Sequence, residues 1–348
     1  MPKTENRATI LRVKGAKLDF ETRPVPVPAA GDVLIRNHAI ALNPVDWKRR
    51  DWGFAIASYP TILGSDVSGV VEAVGTDVKL FKAGDRVFGF ANGLVTGNLD
   101  NCAFQTYTCV PDFTVGKIPD NMSFELAALL PMSLGTSGTA LFHDLGIPLP
   151  VSAEIPKESA GSILIWGGAS AVGSMAIQLA RLAGYTVYST SSPAHHAYLK
   201  ELGAVAAFDY RSPAVVEDIV AAAKKAGQPI TYAVDAIAEG ETFGQTASVL
   251  AKSGGAGSKM AHLLPWPETK VVPEGVENIN SMCDKCWGVR KDMSISLFHE
   301  TVPVALATGT IIPSPRLRII EGGLDGLEDA LVILSKRVSA QKLVVSVK

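Results

Sequence analysis

The stretch SILIWGGASAVGSMAIQLARLAG, Ser162 to Gly184, passes from an apolar run through three glycines into an alanine-rich helical pattern. Gly167, Gly168 and Gly173 stand at the turn, where small residues let a backbone approach a pyrophosphate and a helix amino terminus supplies N–H donors. The turn spells GGASAVG and not strict GxGxxG, so spelling alone leaves a glycine-rich connection that binds nothing equally open. Its position decides between them, because the turn opens the first unit of a strand–helix series, where a dinucleotide fingerprint belongs. The expected cofactor contacts are Gly168, Ala169, Ser170, Ala171, Val172 and Gly173.

The end of the next strand selects the dinucleotide. An Asp or Glu about 20 residues on would bind a ribose 2′-hydroxyl and repel a 2′-phosphate. Here the strand ends YSTSSPAHH, with Ser189, Thr190, Ser191 and Ser192 in that place and His195 and His196 just beyond. Tyr210 and Arg211, after the third strand, are placed to close over the same pocket. Ser191, Ser192, His195 and Tyr210 therefore predict NADP(H) in preference to NAD(H). Ser191-Ser192-Pro193 also suits a helix cap, and both uses are compatible.

These residues need elements to hold them, and the sequence has two textures. Up to about residue 124, short β-branched or apolar runs (DVLIRNHAIAL, VSGVVEAVG, DRVFGF, FQTYTCV) alternate with Gly, Pro, Asn and Asp, which predicts a β-rich antiparallel domain. From about 126 to 264 strands alternate with helices: SILIWG, TVYSTS, AVAAFDY, ITYAVDAI and SKMAHLL, with helical patterns between them that often end at glycine. That alternation builds a parallel sheet covered on both faces. Residues 265–290, PWPETKVVPEGVENINSMCDKCWGVR, read as a long loop or insertion. A helical pattern, MSISLFHETVPVALATG, and a last strand, QKLVVSVK, follow.

Composition narrows the class. The chain has 348 residues, 47% of them hydrophobic and 19% charged, with a formal net charge of -2. Two domains with real cores fit that length, and no basic face for nucleic acid is expected. From the polar start MPKTENRATI no signal peptide is expected, and no apolar run reaches the roughly 18 residues of a membrane span. Four cysteines make no disulfide framework, so a reducing, cytoplasmic setting is expected. Cys283 and Cys286 form a lone CxxC without a second pair or neighbouring histidines, and receive no role.

With the amino-terminal half included, the chain resembles the medium-chain dehydrogenase/reductase superfamily. The matching pieces are LNPVDWK (42–48), LGSDVSGVVEAVG (63–75), FKAGDRVFG (81–89), the glycine turn and LKELGA (199–204), in the family's order. The resemblance implies a GroES-like β-rich catalytic domain, residues 1–125 and 300–348, around a doubly wound Rossmann domain, residues 126–299. It also implies a comparison with zinc alcohol dehydrogenases, whose catalytic zinc sits on Cys, His and Cys. The corresponding places here are Asp46, Ser65 and Met132, and the segment after GDRVFG has only Cys102 and Cys109 where a second zinc would need four cysteines. Zinc needs a set of Cys, His or carboxylate ligands with one open position, so no metal site is expected.

Zinc-free members of the superfamily reduce carbon–carbon double bonds conjugated to a carbonyl: hydride goes to the β-carbon, charge collects on an enolate oxygen, and the α-carbon is protonated. NPVDWKRRDWG and PMSLGTSGTALF look most like fungal zinc-free enzymes of secondary metabolism, including trans-enoyl reductases that serve polyketide synthases. On that resemblance Asn43 and Pro44 lie near the nicotinamide. Lys48 polarises substrate or holds cofactor, unless it is an ordinary solvated lysine, and Thr136 stands by the cofactor, unless it caps a helix. Asp46 is the structural member of the motif, and Trp47 and Trp52 line either pocket or core. The expected partner is an enone or acyl thioester, supplied in trans by a synthase, to a monomer or homodimer. Two other readings stay open: a general quinone or alkenal reductase, and a non-catalytic NADPH-binding or synthase-accessory protein.

Overall fold

A computed structural model describes residues 5–347. It divides into two compact units, residues 1–132, 298–307 and 316–348, and residues 133–297 and 308–315.

The second unit is built on a six-stranded, all-parallel sheet. Its strands are Gly161–Trp166, Tyr185–Ser191, Ala204–Asp209, Ile230–Asp235, Ser258–His262 and Val276–Asn280. Numbered in chain order they lie 3-2-1-4-5-6, the doubly wound order whose direction reverses beside the first strand and leaves a crevice at the carboxyl ends. Gly161–Trp166 is buried almost throughout, as a strand covered on both faces must be. Leu164, Trp166, Ile219, Phe243, Leu250 and Met260 form the core against it.

One expectation is corrected here. Residues 265–290 are not only loop: Val276–Asn280 is the sixth strand, in parallel register with Ser258–His262, and Cys283–Trp287 is a short 3-10 turn. The strand is hard to read because it lies at the sheet edge. Only Val276 is buried, so VENIN carries no apolar run. The helical pattern after it is divided in turn into Lys291–Ile295, a wide π-type turn Ser296–Thr301, and Val302–Thr308.

The first unit carries a mixed sheet in which Asp32–Ala41 pairs antiparallel with Asp66–Val74, Tyr107–Pro111 and Gln341–Ser346. Arg86–Phe90 and Val115–Lys117 extend one side, and Arg316–Ile320 runs parallel to Gln341–Ser346 on the other. Strands from residues 32–117 and from the last part of the chain thus enter one sheet, while Glu5–Ile10 and Asp19–Pro24 pair in a separate hairpin, and Val33, Ile35, Ile40, Val67, Leu343 and Val345 share the core. Among the described residues no helix is long and apolar enough to cross a membrane.

Candidate active site

Local chemistry forces the glycine turn of the second unit into one shape. Ser170 caps the helix Ala171–Leu182: its hydroxyl accepts the Gly173 N–H at 3.0 Å and donates to the Gly167 carbonyl at 2.8 Å. The Gly167 N–H is held by the Thr190 hydroxyl at 3.0 Å, and the Gly168 N–H by the Thr190 carbonyl at 2.9 Å. A Cβ on Gly173 would stand 2.2 Å from the Gly167 carbonyl oxygen, and one on Gly168 2.1 Å from the Ser189 hydroxyl. Gly167 has φ of +77° and faces Ile237 from the loop after the fourth strand. The three glycines are needed by the packing of turn on strand and helix, and the resulting cradle fits a dinucleotide pyrophosphate at the helix amino terminus.

The row of hydroxyls at the second strand end splits into two uses. Ser189 donates to the Ile165 carbonyl at 2.7 Å and Thr190 ties the glycine turn, so both are structural. Ser191 donates to the Ser192 carbonyl at 3.0 Å, and neither hydroxyl caps the turn Pro193–His195. Register places Asp209 opposite Ser191, which brings Tyr210 and Arg211 to the side of Ser191, Ser192 and His195. Asp209 binds the Arg211 guanidinium at 3.0 and 3.2 Å, and that contact holds its carboxyl below the usual range. Tyr210 is exposed.

Thr136 lies inside the helix Pro131–Gly138, which excludes the capping use; it is almost buried. Its neighbour Ser137 donates to the Val172 carbonyl at 2.9 Å, tying this helix to the glycine turn. Asp235 was not read as special in the sequence. Its buried carboxylate accepts the N–H groups of Ile237 and Ala238 and the Thr242 hydroxyl at 2.6 Å, fixing the loop that meets Gly167. The second unit thus gathers Gly168–Gly173, Ser191, Ser192, His195 and Tyr210 at the carboxyl ends of its first three strands.

The first unit carries Asn43, Pro44 and Lys48. Asn43 precedes the helix Pro44–Trp52, and its N–H donates to the Asp46 carboxylate at 2.7 Å. The Asn43 side-chain amide donates to Asp66 Oδ2 at 2.9 Å. Asp66 also accepts the Met132 N–H at 2.7 Å and the Lys342 ammonium at 2.6 Å, with both charged side chains buried. Burial pushes the Asp46 carboxyl up to about 7; the Asn43 N–H opposes the rise, and Asp66 adds to it. Lys48 is half-buried on the same helix, its ammonium 5.9 Å from the ring centres of both Trp47 and Trp52. Trp47 packs against the core, whereas Trp52 is exposed.

This cluster does not fit a catalytic zinc. At the three ligand places Asp46 is committed to the Asn43 N–H, Ser65 is a buried hydroxyl, and Met132 meets Asp66 through its backbone. Asp66, the remaining carboxylate, is satisfied by a lysine, an amide and an N–H. Among the described residues no group of three or more His, Cys, Asp or Glu could hold a metal ion. Cys102 and Cys109 are buried free thiols, and burial pushes each up to about 12. Cys286 donates to the Cys283 carbonyl at 2.8 Å.

A 3-2-1-4-5-6 parallel sheet with a capped glycine turn, and a β-rich unit made from both chain ends, define a two-unit nucleotide-dependent oxidoreductase. Family comparison agrees. Residues 29–120 match the alcohol dehydrogenase GroES-like domain, and residues 171–257 match the zinc-binding dehydrogenase family. A trans-enoyl reductase of Aspergillus flavipes is 36% identical over 98% of this chain and 99% of its own. Among solved structures, the CurK enoyl reductase is similar with a TM-score of 0.77, at 22% identity over 99% of both chains. A mycobacterial protein complexed with NADPH gives 0.73, at 22% identity over 98% of this chain and 99% of its own. The chain belongs to the medium-chain dehydrogenase/reductase superfamily, together with fungal trans-enoyl reductases.

Proposed function

We propose that the protein is an NADPH-dependent, zinc-independent reductase of carbon–carbon double bonds conjugated to a carbonyl, acting in trans on enoyl thioesters of secondary metabolism. The observation that carries this reading is the cluster at the metal-ligand places, where Lys342, Asp66 and Asn43 satisfy one another and leave no ligand set. Alcohol oxidation in this superfamily calls for a Lewis acid to stabilise an alkoxide; double-bond reduction calls for positioning and donors to an enolate. The name of the Aspergillus flavipes relative supports the same choice.

Bound NADPH supplies the hydride. The chain's residues do the rest. The N–H groups at the start of helix Ala171–Leu182 hold the pyrophosphate, while Gly167, Gly168 and Gly173 keep the approach open. Ser192 and His195 would donate to the 2′-phosphate, Ser191 would do so on turning its hydroxyl from the Ser192 carbonyl, and Tyr210 would contact the same group. In the first unit Asn43 and Pro44 would contact the nicotinamide end of the cofactor, and in the second unit Thr136 would contact the cofactor. Lys48 donates to the carbonyl oxygen of the substrate, so that charge developing there as the β-carbon is reduced meets an ammonium. A proton that comes ultimately from solvent completes the reduction at the α-carbon.

Following NADPH oxidation by the purified protein against enoyl thioesters, simple enones and quinones tests this reading. Turnover of enoyl thioesters is expected. Turnover confined to quinones, or none with NADPH bound, would contradict it.

A further inference from the structure

The zinc places are not merely empty of ligands; they contain a built network that reaches Asn43 from two sides. Asp46 accepts the Asn43 N–H at 2.7 Å, and Asp66 accepts its side-chain amide at 2.9 Å. Asp66 is itself held at its other oxygen by the Met132 N–H, while Lys342 Nζ binds the same oxygen as Asn43, at 2.6 Å. Lys342 has a second anchor, the Leu129 carbonyl at 3.1 Å. Its side chain is 2% exposed and that of Asp66 fully buried. The strand that carries Lys342 also fixes the backbone leading into Asn43: Val344 pairs with Ala41, and the Leu42 N–H donates to the Leu343 carbonyl at 2.9 Å.

A carboxylate as fully buried as Asp66 needs a cation, because burying an uncompensated charge is costly. A lysine contributed by the last strand binds it directly, while the buried Arg49 also lies near enough to act on Asp46. An exposed ion pair does little, but a dry pair with further hydrogen bonds fixes the direction of the groups it holds. We propose that Lys342 is a positioning residue for the reduction, supplying the fixed positive charge that a metal ion would otherwise bring, and acting through Asp66 on the orientation of Asn43. This rests on the reading of Asn43 as a nicotinamide contact.

A double-mutant cycle tests it, with Lys342→Met, Asn43→Ala and both together compared in samples that keep the wild-type circular dichroism. Lys342→Met is expected to lower kcat about tenfold or more while the enone KM moves less than about threefold, an effect on the transition state and not on substrate binding. The double variant should be no slower than Asn43→Ala, and Lys342→Arg should recover most of the rate. A folded Lys342→Met within about twofold of wild type, or losses that multiply, would overturn the proposal. If Lys342→Met does not fold, Asp66→Asn/Lys342→Met leaves no bare charge, and wild-type kcat in that protein would overturn it equally. Every variant is also titrated with NADPH by fluorescence. Should wild type reduce no enone, the functional reading falls, and the cycle is then read in the NADPH dissociation constant, where multiplying losses overturn the proposal and non-multiplying losses support it.

Discussion

At the residue scale the molecule assigns different work to chemically similar groups. Thr190 and Ser191 are adjacent hydroxyls, yet one ties the glycine turn and the other remains at the crevice. Ser191→Asp would set a carboxylate where a 2′-phosphate is proposed, and the ratio of kcat/KM for NADPH to that for NADH should fall at least about tenfold, near 1.4 kcal/mol; an unchanged ratio would remove Ser191, Ser192 and His195 from the cofactor contacts. Asp46 gives a pH prediction. Its carboxyl rises from an ordinary 3.8 to about 7, first through burial. The folded chain therefore keeps a proton that the unfolded chain has released between those values, so stability is full at low pH and falls as pH rises through the window. By about pH 8 the penalty is on the order of 4 kcal/mol at 1.36 kcal/mol per unit. Asp46→Asn keeps an acceptor for the Asn43 N–H but cannot ionise. Urea unfolding should find it more stable than wild type at pH 8, with the difference vanishing near pH 4; a constant difference would show that Asp46 does not titrate there.

At the element scale, legibility followed burial. The strands Gly161–Trp166 and Ile230–Asp235 are apolar because both faces are covered, and the helix Ala171–Leu182 is marked by its cap and glycines. Val276–Asn280 was missed because an edge strand needs only one buried residue, and Thr136 was open to a capping reading because its helix begins five residues earlier, at Pro131. Gly173 is where element and site meet. A Cβ there would be 2.2 Å from the Gly167 carbonyl oxygen, so helix and strand must part. Gly173→Ala should cost about 1–3 kcal/mol by thermal melting and weaken NADPH binding in a fluorescence titration. Unchanged melting and affinity would mean that the turn is not the tight cradle described.

At the scale of the whole molecule, the least legible feature was the Asp66–Lys342 pair, whose members are 276 residues apart. QKLVVSVK reads as an apolar strand with a polar start, and no local pattern shows that its lysine turns into the core. The amino-terminal motif, in contrast, singled out Asn43, Pro44, Asp46 and Lys48, which the structure places at the start of one helix, Pro44–Trp52. That pair makes the zinc question testable on the intact protein. Metal analysis should find well below one zinc per chain, and a chelator should leave enone reduction unchanged; one stoichiometric zinc lost together with activity would refute the zinc-independent reading.

The most direct measurement is the destination of the hydride. The protein would be incubated with an enoyl thioester and NADPH deuterated at C4, both faces labelled in parallel, and the product examined by NMR. Deuterium at the β-carbon with a solvent-derived proton at the α-carbon is the predicted result. Deuterium on the carbonyl carbon would mean carbonyl reduction, and would contradict the account.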